Sequence, residues 1–234
     1  MPNEILLLLS LVICFGATLV FYRLFGAVGL YCWTVMGTVA ANIEVLILVN
    51  AYGMEQTLGN VMFASLFLVT DILSENVGKK EANRAVNLGI ATSVAFILVS
   101  QLWLQYTPSP NDWAMPSIQA IFSNTPRLML VSLVVYGITQ KFDVWLYHKW
   151  WTFTTKKYGD SKRFLWLRNN GSTMVSQFLN TLLFTVGAFI GIYDGPTLVS
   201  VVLSSYVIFL VTSLLDTPVI YLSRKVKAPK INEE

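Results

Sequence analysis

The stretch FASLFLVTDILSENVG, Phe63 to Gly78, decides the fold class. It begins as a continuous apolar run of the kind that makes a membrane helix. It then carries Asp71 and Glu75 before the chain reaches Lys79-Lys80. An ionised carboxylate at the centre of such a helix costs about 2.5–3.5 kcal/mol on insertion scales, so it faces a protein interior or a water-filled cavity. Asp71 and Glu75 stand one turn apart on a single helix face, where like charges repel. That pairing implies a partner, a bound ligand, or water within reach of Glu75.

The rest of the chain fits this environment. Of 234 residues, 55% are hydrophobic and only 12% charged, with mean hydropathy +0.60; a soluble domain carries about 25% charge. The apolar runs have helix length rather than the length of barrel strands, so the expected class is an all-α integral membrane protein. The net charge of +3 carries little information, because the 16 Lys and Arg are clustered. The clusters read as topology signals, not as a nucleic-acid surface. Cys14 and Cys32 lie in apolar runs without a CxxC spacing, and His148 is the single histidine. No disulfide framework, metal site or cofactor is expected from that inventory. The opening MPNEILLLLSLVICFGATLVFY lacks a basic leader and carries Glu4, so it reads as a retained span.

Seven spans are predicted, at about Glu4–Tyr22, Ala27–Val49, Leu58–Val77, Ala82–Leu104, Pro126–His148, Asn170–Tyr193 and Pro196–Leu222. Basic residues follow the odd-numbered ones. They are Arg23; Lys79, Lys80 and Arg84; Lys149, Lys156, Lys157, Lys162, Arg163 and Arg168; and Arg224, Lys225, Lys227 and Lys230. The loops around 50–57, 105–125 and 194–195 contain no Lys or Arg. The positive-inside rule therefore places the N-terminus outside and the C-terminus in the cytoplasm. The 105–125 loop, with Trp113, Ile118, Ile121 and Phe122, predicts a short amphipathic helix in the outer interface. The last residues, from Lys225 on, read as a solvated tail.

Polar residues recur at helical spacing inside these spans. Span five carries Ser132, Tyr136, Gln140, Asp143 and Tyr147 on one face, with Lys141 off it and able to snorkel or pair with a carboxylate. Span six carries Thr173, Ser176, Gln177, Asn180 and Thr181; span two carries Thr34, Thr38 and Asn42 with Glu44 nearby; span seven carries Thr212 and Asp216 before Pro218. One polar stripe on each of several apolar helices is satisfied most simply by convergence on a common cavity. The competing reading is that Ser, Thr, Asn and Gln bond helices to one another. Asn170 or Ser172 is expected to N-cap span six, which would offer free N–H groups to a ligand.

The cavity inventory is rich in carboxylates and carboxamides and poor in buried cations. That argues against phosphate or carboxylate cargo and for a neutral or cationic cargo bearing N–H donors. A guanine-like edge suits Asp or Glu acceptors, with Asn and Gln meeting adjacent groups. The ligand-binding candidates are Asn42, Glu44, Asp71, Gln140, Asp143, Gln177 and Asn180. Trp33, Phe63, Phe67, Tyr136 and Phe178 are candidates for a stacking wall.

Three separated motifs resemble one family: TDILSE at Thr70–Glu75 with Gly78-Lys79-Lys80, QKFDV at Gln140–Val144, and RNNGSTMVSQFLNT at Arg168–Thr181. They are similar to the queuosine precursor transporters, a family also named for vitamin uptake. The resemblance covers about residues 27–225. It implies a bacterial inner-membrane importer of a 7-deazaguanine base such as preQ0 or preQ1. It also implies a six-helix plan similar to the substrate-binding subunits of energy-coupling-factor transporters. Residues 1–26 would be an additional N-terminal helix, 27–225 the transporter domain and 226–234 a cytoplasmic tail. The family-motif positions are Asn42, Asp71, Glu75, Gln140, Asp143, Arg168, Ser172, Thr173, Gln177 and Asn180. Where many members carry Asp before Thr in span six, this chain has Asn180 before Thr181, which removes a charge.

The expected partners are a 7-deazapurine and the lipid bilayer, with no nucleic acid; a homodimer is compatible with the sequence. The alternative is a substrate-binding subunit of a multi-subunit vitamin or nucleobase uptake system. GxxxxGK[ST] is absent, so the chain has no ATP-binding loop of its own. An enzyme is not expected, since one histidine and two apolar-face cysteines offer little nucleophile–base chemistry.

Overall fold

The structure is a computed structural model and describes residues 1–123 and 126–229. In chain order the elements are α1 (Asn3–Glu44), β1 (Leu48–Ala51), β2 (Met54–Thr57), α2 (Gly59–Asn76), α3 (Lys79–Trp103), α4 (Met115–Phe122), α5 (Pro126–Tyr158), α6 (Leu165–Phe189) and α7 (Gly195–Ser223). α1, α3, α5 and α7 are long and apolar enough to cross a membrane. Leu24, Val28, Leu98, Val134, Val175, Leu203 and Leu214 are exposed on the outside of the bundle, while Asp71, Gln140, Asp143 and Arg168 are buried inside it. That inversion marks a lipid-embedded protein, since soluble proteins seldom expose large contiguous apolar surface.

α1 contains two of the expected spans. At about 1.5 Å per residue, its 42 residues would be about 63 Å long if straight, twice a bilayer core. It breaks at Gly26, whose φ of 62° and ψ of −142° lie outside the helical region. Any side chain there would also collide with the Pro229 carbonyl. The chain reverses at this point. Asn3 at the start of α1 donates to the Asn50 carbonyl at 2.9 Å, and the Glu4 carboxylate accepts the Tyr52 N–H at 3.1 Å. Both halves therefore meet at the end opposite Gly26.

Span two was expected to reach Val49 but stops at Glu44, and residues 48–57 form an antiparallel hairpin. Tyr52 and Gly53 take positive φ at its tip, as a tight two-residue hairpin turn requires. α4 forms where the amphipathic helix was predicted, and its Phe122 is buried against Phe96 and Trp103.

α2 is the axis of the bundle. It packs against α1, α3, α5 and α7, and 15 of its 18 residues are buried. It is sheathed by protein almost all round, so it can carry Asn60, Ser65, Thr70, Asp71 and Ser74 without presenting them to lipid. α6 packs between α5 and α7 with its polar face inward.

The basic loops gather at one end. There Asn76 donates to Ser223, Arg224 donates to the Lys162 carbonyl, and Pro229 abuts Gly26. The sequence expectation of a solvated tail is corrected for residues 226–229, because Val226 and Ala228 pack on the core. Lys230 and the four residues after it lie outside the described residues. α5 runs on to Tyr158, well past the expected end at His148. α6 starts at Leu165 with Phe164 as its N-cap in the left-handed region. Asn170 and Ser172 thus sit inside the helix, and neither caps it.

Candidate functional site

The polar stripes of α5 and α6 converge, whereas that of span two does not join them. On α5, Ser132, Tyr136, Gln140, Asp143 and Tyr147 are all buried; on α6, so are Thr173, Ser176, Gln177 and Thr181. α2 brings Thr70 and Asp71 to the same place. Thr70 Oγ1 donates to Gln140 Oε1 at 3.1 Å, Thr173 Oγ1 donates to Asp71 Oδ2 at 3.3 Å, and Ser176 Oγ donates to Asp143 Oδ1 at 2.6 Å. These three bonds join α2, α5 and α6 around one layer. Asp216 on α7 borders it, within electrostatic reach of Asp71, and accepts Asn169 Nδ2 at 2.8 Å.

Four residues of this layer each keep an atom in reserve. Asp71 Oδ1, Asp143 Oδ2, Gln177 Oε1 and Gln140 Nε2 are buried and have no protein hydrogen-bond partner, as does Asn169 Oδ1. A buried polar atom left unsatisfied costs about 1–3 kcal/mol, so four gathered in one layer call for a ligand or water to meet them. The set offers three acceptors and one donor. A planar base with a ring N–H, an exocyclic amine and a carbonyl presents the complementary pattern.

Above this layer, on the side of the β-hairpin, lies a cavity of about 300 Å³. Its walls include Phe63, Phe184, Phe189 and Phe209, with polar contributions from Asn60 and Asn180. Phe63 tilts against Tyr136, with ring centroids 6.4 Å apart, and Thr139 donates to Asn180 Oδ1 at 3.4 Å. Gln177 lies about 4.5 Å of helix rise below Asn180, and Asp71 about 12 Å below Phe63. The cavity therefore lies toward the hairpin end from the reserved atoms; Asp71, Gln140, Asp143 and Gln177 are not among the residues that line it. A volume near 300 Å³ is the lower end of the range for small-molecule pockets.

Below the layer the chemistry changes. Glu75, one turn past Asp71, accepts Arg168 Nη2 at 2.7 Å and Nε at 2.9 Å, Arg224 Nε at 2.8 Å and Nη2 at 2.5 Å, and the Tyr147 hydroxyl at 2.5 Å. The Arg168 side chain is fully buried and its guanidinium lies 4.3 Å from the centre of the Trp151 ring. The expectation of few buried cations is thus corrected. Arg168 read as a loop charge because it follows a basic run; it turns inward because the Glu75 carboxylate is there to neutralise it. The repulsion expected between Asp71 and Glu75 is relieved the same way.

The candidates separate into those brought together and those left apart. Asp71, Gln140, Asp143 and Gln177 share the layer, and Asn180 lines the cavity above it. Asn42 instead donates to the Thr38 carbonyl at 2.8 Å and to Ser93 Oγ at 3.4 Å, bridging α1 to α3. Glu44 is half-buried at the end of α1, near Cys14 rather than the layer. Lys141 is exposed and belongs to none of the ion pairs among the described residues. Phe178 faces outward against Tyr206, and Trp33 is held by Phe21 and Ser65, so neither joins a stacking wall. Asn169 and Asn60 are polar residues here that the stripes did not include, and Asp216 stood on the span-seven stripe but not among the ligand-binding candidates. Their signal was the same helical spacing, diluted by the Ser and Thr around them.

Residues 57–223 match the family described as "Putative vitamin uptake transporter". The chain is 38% identical over 214 residues to the "Probable queuosine precursor transporter" of Bacillus subtilis (strain 168), covering 92% of this chain and 91% of that protein. No solved structure matches. The family match spans α2 to α7, which hold the polar layer, most of the cavity wall and the Glu75–Arg168 ion pair; Arg224 is the next residue after it. The chain therefore belongs to the vitamin uptake transporter family of membrane proteins, the family of the queuosine precursor transporters.

Proposed function

We propose that this protein imports a 7-deazaguanine precursor of queuosine through the polar layer between α2, α5 and α6. The observation that carries this reading is the set of four reserved atoms: acceptors on Asp71, Asp143 and Gln177, and a donor on Gln140. The acceptors suit the ring N–H and exocyclic amine of a guanine-like edge, and the Gln140 amide suits its carbonyl. Asn42 and Glu44 drop out of the contact set on this reading, and Asn180 meets cargo in the cavity above.

The chain crosses the membrane seven times, with the two halves of α1 counted separately. Residues 1–26 form an added helix before a six-helix unit that ends near 225. The basic end faces the cytoplasm of a bacterial inner membrane, because Lys and Arg gather there and the hairpin end has few. Cargo then enters from the hairpin end, where the cavity is, and leaves at the basic end.

Uptake of labelled precursor into cells that cannot synthesise it tests the assignment. The intact protein restores uptake, and Asp143→Asn at equal membrane abundance does not. Restoration by both proteins alike would remove the layer from the transport path; restoration by neither would remove the cargo.

A further inference from the structure

We infer that Glu75, held by Tyr147, Arg168 and Arg224, is the inner gate of this transporter: cargo leaves the polar layer only when this ion-paired tie parts. The inference rests on the cargo site proposed above. It adds four residues to the transport cycle that the cargo site does not contain.

The tie joins four parts of the chain at the basic end. Glu75 comes from α2, Tyr147 from α5, Arg168 from α6, and Arg224 from the turn after α7. One carboxylate thus closes four elements onto a single point. The arginines are anchored in turn, since Arg168 Nη1 donates to the Arg163 carbonyl at 3.0 Å and Arg224 Nη2 to the Lys162 carbonyl at 2.9 Å. Both carbonyls belong to the loop between α5 and α6.

The tie is also a partition. Asp71 lies about 6 Å of helix rise above Glu75. Beside Glu75, on the basic end, lies a cleft of about 530 Å³ lined by Ser74, His148, Trp151, Thr155 and Lys156. Ser74 Oγ, His148 Nε2 and Thr155 Oγ1 in this cleft have no protein partner. The unpartnered atoms of the polar layer and those of this cleft therefore lie on opposite sides of Glu75. The opposite end carries the 300 Å³ cavity instead. On this inference the tie closes the polar layer off from the cleft at the basic end.

The chemistry suits a gate better than a permanent clamp. A buried ion pair is weak evidence for stability, and an apolar plug of the same volume would hold the helices at least as well. An ion pair differs in that its partners can exchange one another for water or cargo when the cleft wets. Arg224 is placed to move first. Its side chain is a quarter exposed, and it follows Pro218, which lacks the N–H that would stiffen α7.

Thiol accessibility tests the gate without cargo. In a Cys14→Ser, Cys32→Ser background, single cysteines are placed at Thr70 above the tie and at Thr155 in the cleft. A membrane-impermeant maleimide is added from whichever side labels Thr155→Cys. With the tie intact, Thr155→Cys labels and Thr70→Cys is protected. Adding Arg224→Gln, or Glu75→Gln as the more severe change, speeds Thr70→Cys labelling about tenfold by raising the open population. Arg224→Lys gives a smaller rise. Variants are scored only if monodisperse after solubilisation. Fast labelling of Thr70→Cys with the tie intact overturns the gate, as does unchanged protection in Arg224→Gln. A wrong cargo assignment leaves every one of these labelling results as stated and shows itself only in the uptake assay.

Discussion

Glu75→Gln is the substitution whose consequence the structure fixes most tightly. The native carboxylate takes hydrogen bonds from both nitrogens of the Arg168 fork and both of the Arg224 fork, and from Tyr147. Gln keeps the shape and one acceptor oxygen but turns the other into a donor that faces guanidinium. Arg168 is fully enclosed and cannot turn to water. Leaving one member of a buried pair without its counter-charge costs about 3–5 kcal/mol. Arg224 is partly exposed, so its share adds no more than about 1 kcal/mol. The expected loss is therefore about 3–6 kcal/mol, a factor of about 100 or more in the folding equilibrium. Reversible denaturant unfolding in mixed micelles, followed by tryptophan fluorescence, measures it. The double change Glu75→Gln, Arg168→Met recovers more than half the loss, because no buried charge is then left alone. A single mutant within about 1 kcal/mol of the parent, or a double mutant no better than the single, would refute the assignment of Arg168 and Glu75 as a mutually neutralised pair.

Three further outcomes follow from other contacts. Gly89 lies where any Cβ would strike the Tyr136 ring, so Gly89→Ala lowers stability by about 1–3 kcal/mol as an overpacked site does; Tyr136→Leu in the same chain relieves it, as thermal unfolding will show. Ser176→Ala removes the 2.6 Å donor to Asp143 and weakens cargo binding by about tenfold, as expected for a lost bond to a charged acceptor, measured by isothermal titration. Asn180→Asp restores a carboxylate to the cavity wall; it raises the preference for an aminomethyl over a nitrile 7-substituent by about tenfold, read from competition uptake.

The all-α membrane class and the course of the long helices were legible because apolar runs of span length leave few alternatives, and because helical spacing exposes a polar face wherever lipid covers the other. Asp71, Gln140, Asp143 and Gln177 could be picked out for that reason. Depth and neighbour identity were not legible. Periodicity gives the face a residue occupies, not which helix it meets, so Asn42 and Asp143 looked equivalent until one was seen bonded to Ser93 and the other to Ser176. Arg168 was hidden by a different degeneracy: a cation at a helix end serves topology or an interior acid equally well, and only packing chooses. The residues 48–57 gave a turn signal at Tyr52-Gly53, but β1 begins within an apolar run that also fits a helix, and β2, Met54–Thr57, has the polar composition of a loop. The cavity wall drew on Asn60, Thr185 and other residues whose types are common as helix-to-helix contacts in any membrane bundle.

The central claim is that atoms of Asp71, Asp143, Gln140 and Gln177 are held for a flat nitrogenous ligand. Equilibrium binding of a 7-substituted 7-deazaguanine to purified protein tests it most directly, with Asp71→Asn and Asp143→Asn compared against the parent. Each substitution keeps the side-chain shape and replaces an acceptor with a donor. Affinity is expected to fall by about 10- to 150-fold for each, as for a lost charge-assisted bond of about 1.5–3 kcal/mol. Parental affinity in both variants, with the fold intact, would contradict the account.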